Sequence, residues 1–402
     1  MKTILVKGDG IVEVVAGQVT TPGAVLIRGS KTLAVGREAE ERCPEANEII
    51  DLSGQMLMPG LIDCHNHLSL DPRLDNYLLR MNDSIPELTI RAIETMKIDL
   101  LAGITTARCM GDKGFIDIEC RKAVAAGIIA GPRILAATRG IRAPHGHGFV
   151  GYPFSGVENV RQAVRENLAA GADLIKVYTT GTVRSPRGLP SYFSREEIRV
   201  LVDEAHRAGV PVATHCIGGP ELMTALETGI DVIEHGYFAS DREIDEIGKL
   251  GRWLVMTPSI FFTDARIRTL PPNLVEPHLK QREEVGQRMS AAIKAGIKFA
   301  AGTDGMHGGL AQEVKYLTDF GASPVEAVQA ATIRAAMVCG IEDEAGSLQP
   351  GKTADIIGVK GNPYEDITAL QRVVTVIQGG RTVKLEPGEE HLSARDFSRA
   401  NP

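Results

Sequence analysis

The sequence predicts an α/β fold: a (β/α)8 TIM barrel with a small β-sandwich domain formed from both chain ends. Three observations predict it. The middle of the chain repeats a unit in which a helical stretch ends in Gly and a short apolar run follows at once. Eight such runs spread over about 250 residues, the arithmetic of eight parallel strands alternating with helices. The two flanks, by contrast, read as short strands and turns.

Residues 1–57 carry the runs TILVKG, GAVLIRG, TLAVG and NEIIDL, with no convincing helix. The barrel is expected over 58–345. Its first strand is read in MPGLIDC at 58–64, and later runs centre near 106, 136, 176, 213, 234, 256 and 301. The glycines at 103, 127, 171, 209, 229, 251 and 296 fit the left-handed position that ends a helix. Apolar runs directly after them fit strands buried on both faces of a parallel sheet. Ser194 with Glu197 makes a capping box that opens the helix SREEIRVLVDEAHRAG. Helices over 308–321 and 323–340 complete the barrel. A doubly wound open sheet is the rival, but the Gly-rich phosphate loop expected after its first strand is missing. The stretch 346–390 returns to strand-like runs, GKTADIIGVKG and RVVTVIQGGRTVK. Neither flank is long enough to bury its own core, so the two are expected to combine. Residues 391–402 are a polar tail.

A net charge of −7 argues against nucleic acid or an anionic membrane as partner, since both select a basic face. No apolar run approaches the roughly 18 residues of a membrane-spanning helix. The start, MKTILVKGDGIVEVV, places Lys7 and Asp9 where a signal peptide needs apolar residues, so a cytoplasmic location is expected. The six cysteines lie scattered without a CxxC, as reduced thiols do. A small-molecule substrate is the expected partner, and a homo-oligomer stays open.

Catalytic side chains of such barrels sit at the C-terminal ends of the strands. The first run ends in Asp63-Cys64-His65-Asn66-His67, the fourth carries Lys176, and the fifth, sixth and eighth end at His215, His235 and Asp304. Singly, each is an ordinary polar loop residue. Together, five strand ends supply six metal-ligand types at one mouth. His65 and His67 are two apart, so extended backbone points both to the same side, where they can grip one cation. Lys176 interrupts the apolar run LIKVY, and a charged amine there costs free energy unless it reaches the mouth. An ammonium cannot ligate a metal. A lysine carbamate, formed with carbon dioxide, offers two anionic oxygens that can bridge two cations. The ligand count then closes with His65, His67 and Asp304 on one divalent ion and His215 and His235 on the other. Carboxylated Lys176 and a hydroxide lie between them. Zinc is the default metal, and the same donors accept manganese, cobalt or iron.

PGLIDCHNH, the lysine of the fourth run, the histidines of the fifth and sixth, AGTD of the eighth and the ending GSLQPGKTADIIGV together resemble the amidohydrolase superfamily. IKVYTTG, IEHG and SPVEAVQAAT are similar to its imidazolonepropionase-like and prolidase-like branch. The resemblance implies that the six residues are the metal ligands, with Lys176 carboxylated in binuclear members. It also implies a substrate-facing His after the third strand, for which His145 and His147 compete; His147 is preferred. The expected reaction is hydrolysis of an amide, peptide-like or cyclic amide C–N bond by the metal-bridging hydroxide. Asp304 shuttles the proton, the catalytic role in this scheme. Tyr237, and Arg184 and Arg187 in TVRSPRGLP, are candidates for holding the rest of the substrate, a carboxylate above all. Tyr178 shares strand parity with Lys176. His206, His278 and His391 read as surface residues. His307 lies close enough to Asp304 to touch substrate but has no pattern to support it.

Three other readings compete. A lactonase or phosphotriesterase-type ester hydrolase would use the same centre. A one-metal deaminase would place a glutamate just beyond the fifth-strand His, where Cys216-Ile217-Gly218 stands. A non-catalytic scaffold would normally have lost ligands.

Overall fold

Eight parallel strands alternate with helices in the order that the repeated unit requires. In the computed structural model, which describes residues 2–182, 184, 188–270, 272–385 and 389–390, they are β1 (Leu61–Asn66), β2 (Ile104–Cys109), β3 (Arg133–Ala136), β4 (Ile175–Tyr178), β5 (Val212–Cys216), β6 (Val232–His235), β7 (Trp253–Met256) and β8 (Lys298–Ala301). All seven glycines expected to end helices have positive φ. Ser194 and Glu197 form the expected capping box at the start of Arg195–Arg207.

The strands fall into two ladders, one of β1–β3 and one running from β4 to β8 in sequence order. Two short strands, Ile141–Arg142 and Tyr152–Pro153, extend the second ladder beyond β4. Among the described residues no ladder joins β8 to β1 or β3 to β4, so the expected closed cylinder is not closed by continuous pairing. Individual hydrogen bonds span these seams instead. Thr303 and Asp304 donate their N–H groups to the His65 carbonyl at 3.1 and 2.7 Å, and Asp173 donates to the Ala136 carbonyl at 2.8 Å. Gly302 lets the β8 seam come this close, because a Cβ there would stand 2.4 Å from that of His65. The core follows strand parity. Ile175 and Val177 of β4, Val212, Ile233 and Leu254 pack with Val164, Leu201, Leu226 and Ile244 of the helices. Residues of opposite parity, Lys176 and Tyr178 among them, therefore face the inside of the strand layer.

The expected first strand is split. Met56–Pro59 belongs to a different sheet, and β1 starts after Gly60, where a Cβ would meet Thr105 Oγ1 at 2.2 Å. The two flanks do meet: Ile356–Val359 pairs antiparallel with Met56–Pro59 inside a seven-stranded sheet drawn from both ends. A separate four-stranded sheet, Lys31–Val35, Gly23–Arg28, Thr3–Gly8 and Glu48–Asp51, adjoins it. Val6, Val25 and Ile27 of one sheet and Ile11, Leu57, Ile356 and Ile377 of the other share one apolar cluster. The first flank also holds a short helix, Arg37–Glu41, that its strand-like composition conceals. Among the described residues no helix is long and apolar enough to cross a membrane. The polar tail at 391–402 lies outside the described residues.

Candidate metal centre

The C-terminal ends of β1, β4, β5, β6 and β8 converge on one point. His65 and His67 are both buried, with ring centroids 5.3 Å apart. Their Nε2 atoms stand 3.3 and 3.6 Å from the same oxygen of Asp304, Oδ1. The His235 ring lies 4.7 Å from that of His65 and 4.5 Å from that of His215. Donor atoms of His65, His235 and Asp304 all lie within 4.8 Å of one another, a span that one cation can bridge. Two of these candidate ligands sit on unusual backbone: His235 has φ 76° and Asp304 φ 52°. Residues other than glycine rarely adopt that region, and such strain collects where a side chain must be aimed.

The second nitrogen of each imidazole is engaged, and this selects the free one. His67 Nδ1 donates to the Gly111 carbonyl at 2.7 Å and His215 Nε2 to the Gly181 carbonyl at 3.1 Å. A carbonyl only accepts, so His67 presents Nε2 and His215 presents Nδ1 as lone pairs. His65 Nδ1 faces the Glu234 carboxylate at 2.7 Å, and His235 Nδ1 the Thr257 hydroxyl at 2.8 Å. Burial, reinforced by the charge of His65, pushes His67 down to about 3, and burial with His235 pushes His215 well below its ordinary value. Both shifts favour the neutral imidazole, the state that binds metal. Burial opposes ionisation of Asp304, yet His65, His67 and Lys176 overturn it and hold the carboxyl below its usual range.

Lys176 is fully buried, and its Nζ has no hydrogen-bond partner among the described residues. It stands 5.1 Å from the centroid of the Tyr178 ring. Burial pulls the amine down to about 8, with Glu234 and Asp304 working the other way.

The other candidates separate. His147 packs its ring 4.5 Å from that of His215 and lines the cavity above the centre, whereas His145 is exposed and edges against Tyr192. Tyr178 also lines that cavity, its hydroxyl donating to the Met110 carbonyl. The Tyr237 hydroxyl is turned to Thr257, 3.0 Å from its carbonyl and 2.6 Å from its hydroxyl. Arg184 lines the cavity while pairing with Glu284 at 2.8 Å. Arg187 and His391 lie outside the described residues. His206 is exposed and meets Asp231 at 2.8 Å. His278, expected at the surface, is instead buried and stacked on Phe261 at 4.4 Å, because its helix Pro272–Lys294 turns that face inward over the mouth. His307 is buried away from the cavity lining.

A family model described as the amidohydrolase family matches residues 56–383. The chain belongs to the amidohydrolase family. It is 31% identical over 377 residues to an ochratoxinase of Aspergillus niger, covering 82% of this chain and 76% of the relative. It is 26% identical over 373 residues to an imidazolonepropionase of Symbiobacterium thermophilum, covering 83% of each. A solved Xaa-Pro dipeptidase with bound methionine superimposes with a TM-score of 0.84 at 29% identity, over 95% of this chain and 100% of that one. This amidohydrolase is accordingly a hydrolase acting on carbon–nitrogen bonds.

The candidate centre is also held by residues that motif reading passed over. Glu234, which orients His65, receives Arg108 Nη1 at 2.9 Å, and the same nitrogen donates to the Cys64 carbonyl. Asp63 accepts from the His65 and Thr303 N–H groups, both at 3.0 Å, and so ties β1 to the segment carrying Asp304. Asn66 Nδ2 bridges Asp63 and Asp99, and Asp99 also accepts from His307 Nδ1 at 2.9 Å and the Gly308 N–H at 2.7 Å. A signal existed. Arg108 and Glu234 interrupt apolar runs just as Lys176 does. Asp99 shares the buried face of its helix with Leu88, Ala92 and Met96.

Proposed function

We propose that this amidohydrolase is binuclear, with His65, His67 and Asp304 holding one divalent ion, His215 and His235 the other, and carboxylated Lys176 between them. The eight strands and the two end sheets are read as the barrel and β-sandwich of a cytoplasmic enzyme.

The observation that carries the reading is the orphaned Nζ of Lys176. A fully buried amine without a partner is costly as it stands. As a carbamate it becomes a two-oxygen acceptor among imidazoles, of which His67 and His215 each keep one lone pair free. The donor set suits zinc, or manganese, cobalt or iron. Bound divalent ions there would acidify a water and polarise the substrate carbonyl. Asp304, held ionised and within 3.6 Å of both His65 and His67, accepts the proton of the attacking water and returns it to the departing nitrogen. His147 and Arg184, which line the cavity, are placed to contact the rest of the substrate. Arg187 and Tyr237 are the remaining proposed contacts. The dipeptidase among the similar structures cleaves, as its name states, a peptide bond, and an amide is the proposed substrate here.

Metal analysis of protein prepared with zinc and bicarbonate tests the reading. About two ions per chain are expected, with activity rising as the second is bound. Full activity at one ion per chain would refute the binuclear centre.

A further inference from the structure

Resting on the hydrolase reading above, we propose that the substrate carries a large apolar group, an aromatic ring system or a long aliphatic chain, beside its scissile amide. The metal-ligand candidates open into a cavity of about 350 Å³ whose wall is mostly apolar. Three groups build that wall: residues from 70–81 after β1, 149–150 after β3, and Ile260, Phe261, Leu270, Pro277 and His278 after β7.

The wall is packed into the protein rather than laid on its surface. Leu70, Met81 and Val150 come from two of these groups yet share one buried cluster. Phe261, from the third, is fixed on both sides. It stacks on His278 at an interplanar angle of 2° and meets Tyr237 edge-on at 4.8 Å, while its carbonyl accepts from Arg282 Nε at 2.7 Å. At the rim, Leu78 is 41% exposed and Phe149 48% exposed, apolar surface left bare where a ligand would cover it.

The charge inventory points the same way. Among the described residues lining the cavity, the one guanidinium is that of Arg184. It is already paired with Glu284 and lies over the Phe238 ring at 4.6 Å. A polar dipeptide would leave the apolar wall wet and find little to replace its own hydration. An amide with a bulky apolar group sets its carbonyl at the histidines and its body against the wall, the usual arrangement of a small-molecule site. That contact persists in the transition state, so it raises kcat/KM. Each methylene laid on the wall is worth about fourfold, from roughly 0.8 kcal/mol per buried methylene.

The test uses the full chain loaded with zinc and two amide series. In N-acylglycines the acyl group runs from acetyl through hexanoyl to 2-naphthoyl; in N-acetyl amino acids the side chain runs from Gly through Leu to Phe. At least one series should rise a hundredfold or more in kcat/KM from smallest to bulkiest. In Leu78→Asn and Phe149→Ser, both at the exposed rim, the ratio of bulky to acetyl rates should fall about fivefold. Hydrolysis that proceeds equally fast along both series would overturn the inference and leave the hydrolase reading standing. Calorimetric binding of 2-naphthoate against acetate reads the wall without turnover. If no amide is cleaved, the hydrolase reading fails, and this comparison decides the wall alone: tenfold tighter naphthoate upholds it, equal binding overturns it.

Discussion

The side of the centre built from β8, β1, β2 and β3 differs from the side built from β4 and β5. On the first, every ligand-bearing segment is braced. Asp63 and Asp99 hold the ends of β1 and β8 together through Asn66, Thr303 and His307. Asp112 accepts the N–H groups of Leu68 and Ser69, both at 2.9 Å, and Asp117 that of Thr138 at 2.7 Å. Glu234 and Arg108 fix His65 from below. On the second side, the His215 ring nitrogen rests on one carbonyl at 3.1 Å, and Lys176 Nζ has no partner among the described residues. One half of the centre is thus organised by protein alone. The other half has fewer polar partners among the described residues, as the proposed metal and carbamate would need.

The largest expected effect is on the braced side. Asp304→Asn keeps a ligand oxygen but cannot take and return a proton, so kcat should fall by roughly 10²-fold or more. Metal content should fall less, which steady-state kinetics and metal analysis on the same preparation would show. Parallel loss of both would reduce Asp304 to a ligand.

The next effect is on the lean side. Lys176→Met should leave the fold intact by circular dichroism, bind about one ion per chain and lose most activity, with short carboxylic acids restoring part of it. Near-normal turnover with two ions would break the comparison, because that side would then need no outside charge.

A smaller change sharpens the role of bracing. Glu234→Gln removes the charge that orients His65 and should weaken zinc binding about 10- to 100-fold, the usual scale for a ligand's supporting partner. Competition with a chromophoric chelator measures it. The melting temperature should also drop, since Arg108 stays buried without its partner.

The smallest effect is on stability alone. Burial, with the charge of Asp112, pushes Asp117 up to about 7. The folded chain therefore holds a proton there that the unfolded chain releases near 4. The contribution of this group favours folding below about pH 4 and is lost as pH rises towards 7. Asp117→Asn should flatten that slope, read as a smaller difference between melting temperatures at pH 5 and pH 7.5. An unchanged slope would show that Asp117 does not carry it.

The strands and the polar residues that converge at their ends were legible because both are local facts. A run of apolar residues after a glycine says strand wherever it folds, and a polar residue at the run's end is placed at the mouth by the strand itself. The bracing was less legible. Alternation alone would send Glu234 and His235 to opposite faces of β6. The positive φ of His235 breaks that alternation, so both reach the centre. Nothing in the six letters around them announces a left-handed histidine.

By itself, then, the sequence determined the number and order of the strands, the helix ends at the glycines, the six polar residues proposed as donors and the meeting of the two chain ends in one sheet. Each follows from periodicity, from residue type at a run's end, or from a flank too small to bury itself. Only the tertiary structure decided that the run at 58–64 divides at Gly60, that Arg184 pairs with Glu284, that His278 turns inward, and that Asp99 reaches His307. Those outcomes join residues far apart in the chain, 208 positions for Asp99 and His307, and they depend on strand stagger and helix rotation. Local residue patterns do not encode such distances, because many registers satisfy the same periodicity and only the packed whole selects one.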